Sequence, residues 1–159
     1  MNIRAAALDE AAKIHEIIED CRSLEGPMLP ILHRIQAEFG FVPESAKVLI
    51  GEALNLSRAE VHGVVSFYHD FRSHPAGRHV LKLCRAEACQ SMGCDALAEK
   101  AKEMLGLDWH ETSADGAVTL EPVFCLGLCA SAPAAMLDGN LHGRLDEHCL
   151  AELIEETRR

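Results

Sequence analysis

Four cysteines form two closely spaced pairs in the second half of the sequence. Four residues separate Cys84 from Cys89, three separate Cys125 from Cys129, and thirty-five residues lie between the two pairs. Each pair can sit in one tight loop, and two such loops can bring four thiolates around one centre. Thiolate sulfur is a soft ligand that selects zinc, copper(I) or iron–sulfur clusters. The spacing therefore predicts a metal or cluster site, provided that the fold brings the two loops together.

Spacing alone leaves two kinds of centre open. Structural zinc sites accept ligand pairs with about two to four intervening residues, and a 2Fe-2S cluster is also held by cysteine thiolates. Thiol–disulfide catalysis is disfavoured, because a thioredoxin-type active site uses Cys-x-x-Cys and neither pair has that spacing. Free cysteines are often buried as small apolar residues, but two close pairs at two predicted strand ends make that interpretation weak.

Composition excludes several classes of protein. The net charge of −10, from 25 acidic and 15 basic residues, argues against nucleic acid, because phosphate binding needs clustered lysine and arginine. We expect no membrane span, because no apolar run reaches about eighteen residues, and no signal peptide, because acidic residues interrupt the first twenty. The predicted location is therefore the cytoplasm, where seven cysteines indicate metal or redox chemistry rather than disulfides.

The first seventy residues predict a small helical bundle. Apolar residues recur with helical spacing in four segments, 8–21, 28–39, 43–53 and 57–68. The first stripe is expected to begin at Leu8, and Gly40 is expected to end the second helix. Ser57 and Glu60 form a capping box that opens the fourth.

After residue 75 the pattern changes to alternation typical of strands. One predicted strand ends at Cys84, a helix follows over 91–105, and a second strand starts after Gly116 and ends at Cys125. Such a βαβ unit has parallel strands and a right-handed crossover. The turn Asp138-Gly139-Asn140 predicts a hairpin, which a last helix follows. Because ligands of open α/β sheets gather at the carboxyl ends of the strands, we expect the two cysteine pairs to meet there.

The order strand, helix, strand, hairpin and helix is the thioredoxin-like arrangement. The sequence therefore predicts an α/β fold with two domains. Residues 1–74 are expected to form the helical bundle, and residues 75–159 the thioredoxin-like domain.

Several stretches resemble a known family. They are the two cysteine loops with Leu126-Gly127 and Pro133, the run from His62 to Tyr68, and Pro75-Ala76-Gly77-Arg78-His79-Val80. Over residues 28–145 the chain resembles the thioredoxin-like 2Fe-2S ferredoxin subunits of NADH-linked flavoprotein modules. The family includes the small iron–sulfur subunit of respiratory complex I and its counterparts in NAD-reducing hydrogenases and NAD-dependent formate dehydrogenases. The resemblance implies a 2Fe-2S cluster whose ligands, by motif position, are Cys84, Cys89, Cys125 and Cys129.

Two stretches, 56–63 and 84–91, and the short N-terminus most resemble the gamma subunit of NAD-dependent formate dehydrogenase. That resemblance implies a non-catalytic electron-transfer subunit beside a flavoprotein that carries FMN and binds NAD. It also implies a larger subunit, with molybdenum or tungsten, that oxidises formate to CO2. The same module in a hydrogenase or in complex I is the alternative, and a zinc-stabilised interaction domain without a redox role is a second one.

The neighbours of the candidate ligands carry further expectations. A helix starting near Ser91 should point its positive N-terminal end at the site. Gly93 and Gly127 should let the backbone approach the cluster closely. Lys82 and Arg85 could add positive charge beside the cluster, but the favoured interpretation of each is a solvated surface residue.

The remaining cysteines are expected to be structural. Cys94 matches no ligand position and is predicted to be a packing residue, while Cys21 and Cys149 are predicted to lie on apolar helix faces. The sequence has no Gly-x-Gly-x-x-Gly run, P-loop or His-Glu-x-x-His motif. His62 and His69 have no third candidate ligand nearby, so we expect them to be packing or surface residues.

Overall fold

The computed structural model describes residues 3–158, and the side chains of residues 8–158. It divides into two compact units after Pro75. The first unit consists of four helices, α1 (Ile3–Cys21), α2 (Met28–Phe39), α3 (Glu44–Leu54) and α4 (Arg58–Phe67). Their fully buried side chains are mostly β-branched or leucine and form one core, which includes Ile14, Ile18, Ile31, Leu32, Ile35, Ile50 and Val61.

The ends of these helices follow the local sequence signals. α2 ends at Gly40, whose φ of 79° lies in the left-handed region that glycine adopts without strain. Both hydrogen bonds of the predicted capping box are present at α4, because the Ser57 hydroxyl accepts from the Glu60 N–H and the Glu60 carboxylate accepts from the Ser57 N–H.

The buried stripe of α1 begins later than the sequence predicts. Leu8 is 67% exposed, whereas Ile14, Ile17 and Ile18 are buried. α1 has 19 residues against 12 in α2 and 11 in α3. At about 1.5 Å per residue, α1 is longer than either of these helices, so neither alone can cover it from end to end.

The second unit is a four-stranded sheet with helices. The sheet has the order β2-β1-β3-β4, where β1 is His79–Cys84, β2 is Val118–Val123, β3 is Ala134–Leu137 and β4 is Asn140–Gly143. β1 and β2 are parallel, and the other two neighbouring pairs are antiparallel. The predicted βαβ unit and the hairpin at Asp138-Gly139 are therefore confirmed.

Three helices complete this unit. They are α5 (Glu87–Ser91), α6 (Cys94–Leu105) and α7 (Glu147–Glu156). Apolar side chains of α6 and α7 pack with strand residues in one core that includes Leu81, Leu97, Ala101, Leu120, Leu137, Leu150 and Ile154. No helix among residues 3–158 is both long enough and apolar enough to cross a bilayer.

Two predicted elements near the cysteines differ from the structure. The helix expected over 91–105 is two helices, and the break contains Gly93 with a left-handed φ of 87°. The positive helix end that we expected near Ser91 therefore belongs to α6 and starts at Cys94. β2 ends at Val123 rather than at Cys125, because its ladder partner β1 also ends there, with Cys84 opposite Val123.

Two side chains are exposed where the sequence predicted buried positions. Phe124, expected to alternate inward on β2, is 73% exposed, because it lies beyond the last paired residue of the strand. Cys149 is exposed as well. The inward face of α7 is set by Leu150, Leu153 and Ile154, and one residue earlier is rotated by about 100° around a helix. Cys21 is buried, as predicted.

Candidate functional site

The parallel register brings the two cysteine loops together. Cys84 is the last residue of β1, and the N–H of the next residue, Arg85, donates to the carbonyl of Val123 at the end of β2, with an N···O distance of 2.8 Å. The Cys84 sulfur accepts N–H groups from Ala86 in its own loop and from Cys125 and Leu126 in the other. Residues that are 39 and 40 positions apart in sequence therefore donate to the same sulfur atom.

The four thiols are arranged as two pairs. The Sγ atoms of Cys125 and Cys129 are 3.6 Å apart, and the Cys89 thiol donates to the sulfur of Cys84. Two thiolates bound to one tetrahedral metal at about 2.3 Å stand about 3.8 Å apart, so the measured pair matches one edge of such a site. Within residues 8–158, no three Cys, His, Asp or Glu side chains converge on one metal ion. Two thiol pairs could hold a cluster of two irons with two thiolates on each iron.

The site is buried on one side and open on the other. Cys84 and Cys89 are 3% and 2% exposed, whereas Cys125 and Cys129 lie at the surface. An apolar shell surrounds the buried pair and consists of Ala86, Val123, Leu126, Leu128, Ala132 and Ala134. Water is thus excluded from one thiol pair, while the other pair faces the solvent or a partner.

Backbone N–H groups point at the sulfurs and change their proton affinity. Burial raises the pKa of Cys84, but N–H donors from Ala86 and the opposite loop, together with the Cys89 thiol, outweigh it and lower this pKa below its ordinary value. Burial, with the hydrogen bond to Cys84, raises the pKa of Cys89 to about 11. The pKa of Cys129 is raised, first by its hydrogen bond to Cys125. Binding of metal must therefore displace protons, which makes affinity depend on pH.

The loop of the exposed pair holds an unusual backbone conformation. Cys125 has a φ of 92°, in a region that non-glycine residues seldom adopt, and Gly127 has a φ of 79°. A strained residue of this kind costs on the order of 1–3 kcal/mol. The turn brings the Gly127 N–H to 3.4 Å from the Cys125 Sγ. A side chain at Gly127 would meet no atom within 4 Å, so its φ, and not a close contact within the chain, requires glycine.

Residues at the end of β4 are hydrogen-bonded to the segment that follows Cys129. The carbonyl of Ser131 accepts the N–H of Arg144 at 2.6 Å, and the carbonyl of Pro133 accepts that of Leu145 at 2.9 Å. The Ala132–Pro133 peptide bond is cis. A Cβ added at Gly143 would lie 2.9 Å from the Ser131 Cβ and 3.0 Å from its carbonyl oxygen. β4 therefore approaches the loop after Cys129 so closely that only glycine fits.

Lys82 and Arg85 are not the solvated residues that the sequence predicted. The Lys82 side chain is 14% exposed and pairs with Glu121, which lies opposite it across the β1–β2 ladder, at 3.5 Å. Arg85 forms an ion pair of 2.9 Å with Asp95 on α6 and lies against the ring of Trp109. The pairing and packing partners come from other elements, which the local sequence does not reveal.

Cys94 lies beside the buried pair, at the start of α6. It is 5% exposed and belongs to the same small cluster as Cys84 and Cys89, in agreement with a packing role. Its position relative to the site was not apparent from the sequence, and neither were the roles of Asp95 and Trp109. The only signal in the sequence was that Trp109 is the single tryptophan of the chain.

The exposure of the thiols predicts a labelling pattern. In the cluster-free chain, iodoacetamide is expected to modify Cys125, Cys129 and Cys149 before the buried cysteines, because alkylation needs an accessible thiolate. After reconstitution with iron and sulfide, labelling of Cys125 and Cys129 should fall at least about tenfold, while Cys149 reacts as before. Peptide mass spectrometry measures each site, and undiminished labelling of Cys125 and Cys129 in the loaded protein would contradict their assignment as ligands.

A comparison with protein-family models identifies the family of this chain. The model of the thioredoxin-like 2Fe-2S ferredoxins matches residues 14–158, nearly the whole chain. Among curated proteins, a subunit of the NADH-quinone oxidoreductase of Pseudomonas aeruginosa is 37% identical over 121 residues, which cover 76% of this chain and 73% of that protein. The HndA subunit of the NADP-reducing hydrogenase of Solidesulfovibrio fructosivorans is 28% identical over 144 residues, 91% of this chain and 84% of that one.

A solved structure shows the same fold. The NAD+-reducing NiFe-hydrogenase in its air-oxidized state matches with a TM-score of 0.69 and 25% identity over 82% of this chain. The match covers 22% of the hydrogenase chain, so this chain spans about a fifth of that chain's length.

The chain belongs to the thioredoxin-like 2Fe-2S ferredoxin family. The cofactor of this family is a 2Fe-2S cluster, as the family resemblance implied.

Proposed function

We propose that this member of the family is the electron-transfer subunit of an NADH-linked oxidoreductase complex, with its cluster held by Cys84, Cys89, Cys125 and Cys129. The observation that carries the proposal is the meeting of two thiol pairs at the ends of the parallel strands β1 and β2. The Cys125–Cys129 distance of 3.6 Å and the shared N–H donors on Cys84 support it further.

A bound 2Fe-2S cluster would supply a carrier of one electron at a time. The chain's own contribution is electrostatic. N–H groups of Ala86, Cys125 and Leu126 point at the Cys84 sulfur, that of Gly127 at Cys125, and that of Ala134 at Cys89. Hydrogen bonds to sulfur stabilise negative charge and are one of the means by which proteins set cluster potentials.

The exposure of the two thiol pairs indicates the side of the site at which a partner would exchange electrons with the cluster. The apolar shell keeps water from Cys84 and Cys89, while Cys125 and Cys129 form the open side. We expect the partner to dock over the open pair, because that side offers the shortest path to the cluster. The partner we propose is a flavoprotein subunit that carries FMN and binds NAD.

Two kinds of complex remain candidates. The similarity to subunits of an NADH-quinone oxidoreductase and of hydrogenases favours a complex of the complex I or NAD-reducing hydrogenase type. A formate dehydrogenase, with a molybdenum or tungsten subunit, is the second candidate and rests on residues 56–63 and 84–91 of the sequence. Purification of the tagged chain from its native cells, with identification of the associated subunits, distinguishes the two. A cytoplasmic location stays a prediction that fits either complex.

The test of the proposal is metal and acid-labile sulfide analysis of the anaerobically purified chain, with absorption and EPR spectra. About two irons and two sulfides per chain, with an EPR signal only after reduction, are expected for a 2Fe-2S cluster. One zinc per chain with no sulfide would overturn the proposal and favour a zinc-stabilised interaction domain.

A further inference from the structure

Arg85 is fixed in place by both halves of the site. It directly follows Cys84, its N–H donates to the Val123 carbonyl at 2.8 Å, and its own carbonyl accepts from the Gln90 side chain at 3.0 Å. The backbone from which this cation extends is thus tied to β2 and to α5. It cannot move without moving the Cys84 loop.

The guanidinium is fixed as well. Its Nη2 atom lies 2.9 Å from the Asp95 carboxylate, and its Cζ atom is 5.5 Å from the ring centroid of Trp109. Within the described residues, Nε of Arg85 and Nε1 of Trp109 are buried without a hydrogen-bond partner. Part of the charged group is therefore shielded from water. Salt screens a partly buried charge less than a charge on an open surface.

The ion pair lies next to the thiols of the site. Asp95 Oδ1, which accepts from the Arg85 guanidinium, also lies 3.9 Å from the Sγ atom of Cys94. Cys94 packs in one buried cluster with Cys84 and Cys89, and Arg85 directly follows Cys84 in the chain. A cation and an anion are thus held beside the buried thiol pair.

We propose that the charge of Arg85 raises the reduction potential of the cluster, and that Asp95 and Trp109 are positioning residues that hold its guanidinium in place. The inference rests on the proposed function. A 2Fe-2S unit with four thiolates carries a charge of −2 when oxidised and takes up one electron to reach −3, with no bond made or broken. A fixed cation stabilises the −3 state more than the −2 state, and the Asp95 carboxylate has the opposite effect.

Variants of Arg85, Asp95 and Trp109 are expected to shift the reduction potential in different ways. Arg85→Gln removes the cation and lowers the potential. Asp95→Asn removes the anion but keeps a side-chain oxygen that can accept from the Arg85 guanidinium. The cation therefore stays in place and the potential rises, so the two changes shift the potential in opposite directions. Trp109→Ala leaves both charges in place but frees the guanidinium to reach water, which gives a smaller decrease and a stronger dependence on salt concentration.

A matched control lies at the other end of the same strand. Arg78 precedes β1, and the six residues from there to Cys84 span about 20 Å at about 3.3 Å per residue. Arg78→Gln changes the net charge as much as Arg85→Gln does, but at a distance where salt screens the effect. It is expected to leave the potential unchanged.

The experiment is an EPR-monitored redox titration of the full chain with dithionite as the electron donor. At a fixed potential, Arg85→Gln should lower the ratio of reduced to oxidised cluster about three- to tenfold, which is about 30–60 mV for a one-electron couple. Asp95→Asn should raise that ratio. If Arg85→Gln fails to assemble a cluster, the potential of Asp95→Asn decides. Arg85→Lys keeps the positive charge, so its cluster should keep most of the wild-type potential.

The outcomes separate this inference from the proposed function. A wild-type chain without iron and sulfide overturns the proposed function. A normal wild-type cluster with equal potentials in Arg85→Gln and Arg78→Gln, or with no rise in Asp95→Asn, overturns the role of Arg85 and leaves the electron-transfer proposal in place.

Discussion

Replacement of Cys125 by alanine is expected to abolish the EPR signal of the reduced protein and to lower bound iron and sulfide by at least about tenfold. Cys125 forms the 3.6 Å pair with Cys129, and its backbone N–H also donates to the Cys84 sulfur. Alanine keeps the N–H and removes the sulfur. Iron and sulfide content, with EPR after dithionite reduction, measures the result.

The fold should outlast this change. Cys125 is exposed, so its side chain contributes little to either apolar core, and far-UV circular dichroism of the variant should resemble that of wild type. Cys149→Ala is the matched control, since Cys149 is also an exposed thiol but lies on α7, and this variant should keep the full cluster. A Cys125→Ala protein with unchanged iron, sulfide and EPR signal would remove Cys125 from the ligand set.

Gly143→Ala is expected to destabilise the second unit and to shorten the lifetime of its cluster, although residue 143 carries no ligand. The added Cβ would lie 2.9 Å from the Ser131 Cβ and 3.0 Å from the Ser131 carbonyl oxygen. Overpacking of this kind costs about 1–3 kcal/mol. The displaced residue follows Cys129 by two positions, so the strain acts directly on the exposed thiol pair.

Two measurements test this prediction. Thermal unfolding reports the loss of stability, and the rate at which a chelator removes iron reports the loosened loop. Gly63→Ala is the control, because a Cβ there meets no atom within 4 Å and alanine favours a helix over glycine by about 1 kcal/mol. Equal iron-release rates in the two variants would show that the contact between Gly143 and Ser131 does not control the site.

Local signals in the sequence were sufficient for most of the elements. The stop at Gly40 and the capping box of Ser57 and Glu60 involve residues within one or two turns of each other, so their chemistry is visible in a short window. The same holds for the hairpin at Asp138-Gly139. The strand–helix–strand order predicted a parallel pair, because the handedness of such crossovers leaves few alternatives.

Errors arose where a residue's environment depends on another element. Phe124 is exposed because β1 ends opposite Val123, and Cys149 is exposed because the sheet lies on the other side of α7. The break before Cys94 depends on a left-handed φ at Gly93. Glycine permits that conformation without requiring it, so the residue type alone could not predict the break.

By itself, the sequence determined the kind of chemistry, since four cysteines with these spacings allow a soft-metal or cluster site and little else. It left zinc and a 2Fe-2S cluster open, because spacing along the chain does not measure separation in space. The tertiary structure decided that the thiols stand as two pairs, one buried and one exposed, and that Arg85 and Asp95 are held beside them. Those properties depend on the register of β1 against β2 and on contacts between distant residues, which only the packed fold specifies.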